Sequence, residues 1–386
     1  MKNKSNTLTV VYLASFFYAL HYAIILYIGS SFLGKFLSTE SVGLMFTTAA
    51  LVSIIILFNL PPILRRFGNY RLLISAVILE AATLFILATM PSRETVIFFF
   101  VVHQVLINII YFSLTVFLES FSKDETTGGT RGIFLTVLNV AILAGPLIAG
   151  NVLGEDSYKN AFMISGLLAL PILFLVGRHM RSFTDPEYTS ISFIQTIGGI
   201  IREKSLRHIF IIQFLLQFFY GIMVIYTPIY LNTQMGIPMS DILKIIIPVA
   251  LLPFVVFPYL IGNLADKKLG EKEMLFVGFL ILGAATASLS FIQSHAVMVW
   301  AGALFITRIG ATFIETMAES YFFKHTGASD TQIISFFRNT SSFSYLVSPV
   351  IASAFLSVFD YRFIFLGLGI IMLIGLRYSL LLKDTK

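Results

Sequence analysis

The chain has 386 residues, of which 57% are hydrophobic and 12% charged, with a mean hydropathy of +0.89. Soluble domains carry about 25% charged residues, so a water-soluble globule is excluded and a membrane protein is indicated. Without cysteine there are no disulfides or thiolate metal sites, and the net charge of +6 is explained below by topology rather than by nucleic acid.

Apolar runs long enough to cross a bilayer recur along the chain. They predict helices at 8–33, 41–63, 70–90, 95–118, 131–153, 159–180, 207–231, 239–261, 272–292, 296–322, 331–358 and 361–382. Helix 1 follows a basic start, "MKNK", as a signal peptide would. Its apolar part is too long for a signal core, so it is read as a retained first helix. Helix 1 carries His21 and helix 4 carries Asn108, single polar residues in apolar runs that serve either as packing groups or as ligands. Glu80 sits halfway along helix 3, and His103 on helix 4 lies at nearly the same distance from the outer surface. A carboxylate and an imidazole at one depth suit a proton relay; a structural bond to helix 2 or 4 is the alternative.

Helix 5 contains "AGPLIAG", with Gly145, Pro146 and Gly150. The break at 181–206 holds Phe193, Ile194, Ile197, Ile200 and Ile201, spaced as in an interfacial amphipathic helix. On helix 7, Gln213, Gln217 and Tyr220 fall on one stripe, suited to a polar cavity or to hydrogen bonds between helices. In helix 8, Lys244 lies near the outer surface and is expected to snorkel.

Helix 10 carries Arg308, Thr312, Glu315 and Glu319, spaced 4, 3 and 4 apart, hence on one face. Charge at the centre of a bilayer is costly, so this face turns to protein or water. Counting about 1.5 Å per residue from the inner end places Arg308 near the midplane and Glu315 closer to the cytoplasm. Arg338, entering on helix 11, reaches a depth like that of Glu315, and the two are expected to pair.

Topology follows from the basic residues. With the N-terminus inside, nineteen of the 26 Lys and Arg fall in inner segments and four outside, while Lys244, Arg308 and Arg338 fall within helices. Both termini are therefore expected in the cytoplasm, in a bacterial-type inner membrane. The chain also repeats: "FFYALHYAIILY" at 16–27 returns as "FFYGIMVIYTPIY" at 218–230, and Gly68 matches Gly270 at the same offset of 202. The expected organisation is a six-helix bundle over 1–180, a linker at 181–206 and a second bundle over 207–386. Parallel halves of this kind are the plan of alternating-access carriers, with the site between them.

Over its whole length the chain resembles the major facilitator superfamily. The sharpest match is "GNLADKKLGEK", Gly262 to Lys272, which is similar to that family's cytoplasmic loop signature and supplies Gly262, Asp266, Lys267 and Gly270. The equivalent loop of the first half, "NLPPILRRFGNYR", departs from it: Arg65 stands where the family has Asp, followed by Arg66 and Gly68, and Asn59 replaces the first glycine. The Asp-dependent gate contact is therefore expected only at Asp266. Glu119 and Arg131 resemble the partners of this loop, and with Glu315, Glu319 and Arg338 they complete an expected cytoplasmic gate. The resemblance also implies that helices 1, 4, 7 and 10 line the cavity, so Arg308, Thr312, His21, Asn108, Gln213, Gln217 and Tyr220 are its candidate contacts. Gly145, Pro146 and Gly150 resemble an element of the superfamily's proton-linked antiporters, or else form a plain packing kink.

The expectation is an all-α membrane protein of twelve helices in two halves. It is a monomeric secondary transporter that moves a small amphipathic or anionic molecule outward, with protons as coupling ion and Glu80 and His103 as the coupling residues. Uptake or uniport of a nutrient is the alternative, and a non-transporting receptor or assembly factor the second. No cofactor, metal, nucleic acid or enzymatic motif is expected.

Overall fold

The structure is a computed structural model that describes residues 2–121, 127–153, 158–187, 193–267, 270–326, 333, 336–337 and 340–383. Among the described residues it is all helix and turn. A chain this apolar can satisfy its backbone polar groups in lipid only within helices or a closed barrel. The spanning segments are α1 (Lys2–Leu26), α2 (Thr39–Phe58), α3 (Asn69–Thr89), α4 (Arg93–Phe121), α5 (Thr127–Val152), α6 (Lys159–His179), α7 (Lys204–Thr233), α8 (Met239–Val256), α9 (Glu271–Ser288), α10 (Val297–His325), α11 (Thr340–Leu356) and α12 (Phe363–Leu380). Ten are long and apolar enough to cross a bilayer; the apolar parts of the other two, Thr136–Val152 and Thr340–Leu356, are shorter among the described residues. Phe85, Phe98, Leu167 and Phe174 stand more than half exposed on the outside of this bundle, where acyl chains would cover them.

Three expected helices are interrupted. Helix 1 gives way at Tyr27–Ile28 to a short turn of helix, Gly29–Leu33. Helix 2 breaks at Asn59, and Leu60–Phe67 restarts on Pro61 and Pro62, whose missing N–H groups are tolerated at a helix start. Helix 8 was expected as one rod over 239–261. It opens with Met239–Asp241, passes through a π-helical turn, Ile242–Ile246, into Ile247–Leu251, and then breaks before Pro253 and Pro258 into Pro253–Val256 and Pro258–Lys267. Each proline removes a backbone donor and crowds the preceding turn.

The chain forms two compact units, Met1–Ser38 with Thr48–Ser190, and Thr39–Thr47 with Ile191–Lys386. In the first, α1 packs on α4, α5 and α6, and α3 on α4 and α6. Its core is Leu, Ile, Val and Phe from these helices, with Val77, Ile110 and Phe117 fully enclosed. Gly145 explains how close α5 approaches α1: a Cβ there would stand 2.3 Å from the Cβ of Ala23. In the second unit, α9 packs against α10 and α12 through glycines. A Cβ on Gly310 would meet the backbone of Leu282 at 2.5 Å, and one on Gly369 that of Ala287 at 2.6 Å. The first turns of α2 belong to this unit, where Ser353 Oγ donates to the Glu40 carbonyl (3.1 Å) and Tyr361 donates to the Tyr226 carbonyl (3.1 Å).

Candidate functional site

Residue 80 lies nine positions before the end of α3 and residue 103 ten after the start of α4, with a three-residue turn between the helices. Two antiparallel helices with such equal arms bring the two side chains level. Glu80 and His103 are 0% and 1% exposed, and His103 Nδ1–H donates to Glu80 Oε1 at 2.6 Å. His21 of α1, expected in the cavity, comes to the same place: it is 0% exposed and its Nε2 stands 3.7 Å from Glu80 Oε1. Its Nδ1 faces the Phe17 carbonyl at 3.3 Å, and Ser165 of α6 donates to the His21 carbonyl at 2.8 Å. Beside it the Tyr18 ring stacks on those of Tyr22 and Tyr111, and meets that of His21 edge-on at 5.6 Å. Asn108 is spent elsewhere, donating to Gln104 O (2.8 Å) and Ser53 Oγ (3.3 Å), which ties α4 to α2.

In the second unit the polar stripes of α7 and α10 meet. Arg308 is 6% exposed and lays its guanidinium over the Phe219 ring, 4.9 Å from the centroid. Tyr220 donates to Glu315 Oε2 at 3.0 Å, joining a residue expected in the cavity to one expected in the gate. Thr312 turns its hydroxyl back to the Arg308 carbonyl at 2.7 Å. Gln213 is buried and Gln217 half-buried on α7. The expected partner of Glu315, Arg338, lies outside the described residues, as do the side chains of Arg131, Asp266 and Lys267.

On the loops expected to face the cytoplasm, Gly68 and Gly270 precede α3 and α9 with φ of 76° and 86°, a left-handed backbone that favours glycine. The two repeats thus turn alike at positions 202 apart. Arg65 and Arg66 are exposed, Glu119 ends α4 exposed and Glu319 is half-buried. Gly262 lies within the helix Pro258–Lys267, while Pro146 sits inside α5 and Gly150 is buried there.

Two acids that sequence reasoning passed over complete these loops. Asp185 accepts from the Asn69 backbone N–H at 2.7 Å, capping α3 from the linker. In "TDPEY" it reads only as a turn residue. Glu271, directly after Gly270, is 2% exposed and accepts from Ser320 (3.1 Å) and Lys324, fastening the start of α9 to the end of α10. Nothing in the spacing of the sequence marks it as buried. Among the described residues no cluster of His, Asp and Glu is arranged to hold a metal ion.

The profile of the Major Facilitator Superfamily matches residues 11–337 and again 245–386. No curated protein matches the chain. Among solved structures, the fold is similar to the nucleoside transporter NupG at a TM-score of 0.76 and 12% identity, covering 98% of each chain. A mutant of NupG superposes equally well. A bacterial homolog to the human lysosomal transporter Spinster is similar at a TM-score of 0.72 and 13% identity, covering 98% of this chain and 93% of that one. These likenesses extend over the whole bundle. With the family's profile spanning nearly every helix, this twelve-helix membrane chain belongs to the Major Facilitator Superfamily, and is a multi-pass transporter rather than an enzyme.

Proposed function

We propose that the protein is a proton-coupled secondary transporter of a small amphipathic or anionic compound, working outward across a bacterial-type inner membrane with both termini inside. The halves that move are 1–180 and 207–386, joined by 181–206, and the working unit is a monomer. Glu80 and His103 hold the coupling proton, while Arg308 meets a negative group on the substrate. Tyr220, Gln213 and Gln217 line the same binding region on α7. Arg65, Arg66, Gly68, Glu119, Arg131, Gly262, Asp266, Lys267, Gly270, Glu315, Glu319 and Arg338 form the cytoplasmic latch.

One observation carries the reading: a carboxylate with no exposure, bonded at 2.6 Å to an equally enclosed imidazole on the next helix. Ionisable groups inside a membrane bundle are costly, and they mark ion pathways and proton relays when they pair. An imidazole exchanges its proton in the physiological range, which coupling requires. The outward direction rests on the Gly145–Pro146 element. Uptake is the second reading, favoured by the contact of Gly145 with Ala23, which accounts for that glycine by packing.

The test is a Glu80→Gln variant in sealed vesicles holding a pH-sensitive dye. Substrate-linked proton movement should be lost while substrate still binds. Coupled transport at the unaltered rate would remove Glu80 from the mechanism. Nucleosides belong in the first substrate panel because the NupG fold accommodates them, although at 12% identity that likeness shows fold alone.

A further inference from the structure

The contact between His21 and Glu80 has a chemical oddity. A carbonyl only accepts, so the His21 nitrogen facing Phe17 O, Nδ1, is the one that carries hydrogen. In the neutral ring Nε2 is then a lone pair, and it points at Glu80 Oε1 from 3.7 Å. Among the described residues neither His21 Nε2 nor Glu80 Oε2 has a hydrogen-bond partner, and both are enclosed. Two acceptors facing each other in an enclosed apolar place repel. One proton placed on either of them turns the repulsion into a charge-assisted or neutral hydrogen bond.

The charges point the same way. With both imidazoles neutral and Glu80 ionised, the cluster carries one uncompensated negative charge in an apolar core. One added proton makes it neutral, whether it resides on His21, His103 or the carboxyl. A second would leave a net positive charge in the same enclosed place, which is again costly. The groups that bear electrostatically on Glu80 are His103 of α4 and His21 of α1; Tyr18 of α1 feels Glu80 in turn, along with Tyr22 and Tyr111.

We infer that His21, Glu80 and His103 form one site that takes up a single proton, and that His21 is the second partner of the carboxylate, linking its protonation to α1. The proton enters from water as hydronium loses it, no bond between heavy atoms changes, and the same proton leaves on the other side. Glu80 accepts from His103 in one state and engages His21 in the other, so occupancy of the site draws α1 toward α3 or releases it. This deepens the proton-coupled reading and rests on it for its part in transport.

The experiment is a pH titration of the full-length protein, labelled with ¹⁵N-histidine and reconstituted in liposomes, read by solid-state NMR without added substrate. The two imidazole signals are assigned by backbone correlation in the unaltered protein, so the reading does not depend on any variant folding. His21 and His103 should together gain no more than one proton, each titrating incompletely. His21→Gln should move the His103 midpoint by about one pH unit or more, as strongly interacting sites require. Independent, complete titration of the two rings, or a His103 curve unmoved by His21→Gln, overturns the inference. If the rings titrate as one site while vesicles show no substrate-linked proton movement, the coupling reading falls and the shared site stands. If they titrate independently while Glu80→Gln still abolishes proton movement, the coupling reading stands and His21 drops out.

Discussion

Arg308 lays its guanidinium flat on the ring of Phe219, with Thr312 one turn further along bonded to its own helix. A planar guanidinium presents parallel N–H groups that match a carboxylate or phosphate two at a time, which a lysine ammonium cannot mimic. Arg308→Ala is therefore expected to weaken binding of an anionic ligand about tenfold or more, the scale of one charge-assisted hydrogen bond. Arg308→Lys should recover only part of it, both read by ligand-induced thermal shift. Undiminished binding by the alanine variant, at equal folded yield, would make Arg308 a scaffold residue. The depths of Glu80 and His103 were legible by counting along two helices joined by a short turn. The arrival of His21 at the same carboxylate was not, because it depends on how α1 is rotated about its axis. An apolar helix such as α1 offers no polar face from which that rotation could be read. Glu315 shows the same limit: Tyr220 of α7 meets it through a helix crossing that no spacing encodes, while its expected partner Arg338 lies outside the described residues.

At the scale of elements, α3 begins with a device assembled from three places in the chain. Gly68 turns left-handed, Asn69 offers its backbone N–H, and Asp185 of the linker accepts it. Asn69 also donates from its side chain to the Ser113 carbonyl of α4 at 3.0 Å. Phe183 packs edge-on against Phe117, ring centroids 4.7 Å apart, so the linker is pinned where α3 and α4 emerge. Loss of a capping side chain costs about 1 kcal/mol. Asp185→Ala should lower the melting temperature accordingly, and Asp185→Asn, which keeps an acceptor oxygen, should lower it less; equal losses would show that the cap is not the cause. Gly68→Ala meets two obstacles, a left-handed backbone and the Asp185 carboxylate 2.7 Å from the new Cβ. It is expected to destabilise more than Asp185→Ala, and melting curves of the two variants compare them directly. The positions of the helices were legible from apolar runs, their continuity less so. Pro253 and Pro258 are plain in the sequence, but the unbroken apolar run around them masks that each one begins a new helical segment after a break. The opposite happened in the linker, where five apolar residues at helical spacing predicted the helix Phe193–Arg202.

For the whole molecule, the internal repeat was the most informative signal. The offset of 202 paired Gly68 with Gly270, and the two share one backbone conformation at the heads of α3 and α9. The acids beside them differ, Asp185 coming from the linker in one unit and Glu271 from the helix itself in the other. Glu271→Ala should therefore loosen the α9–α10 end, with a lower melting temperature. Lys324 is nearly half exposed, so its substitution is expected to matter much less. Composition alone excluded a soluble chain, and the basic residues oriented the expected topology; neither says what is carried. A ligand of the native state raises its melting point by mass action, by about 2.7 kcal/mol of stabilisation at a hundredfold excess over Kd, so a thermal-shift screen is the route to the substrate. The most direct measurement then follows. Vesicles containing the purified protein and a pH-sensitive dye are given that ligand, and the proton movement it drives is compared between the unaltered protein and Glu80→Gln. Movement in the first and none in the second, with binding retained in both, is the predicted result; equal proton movement in the two would contradict the account.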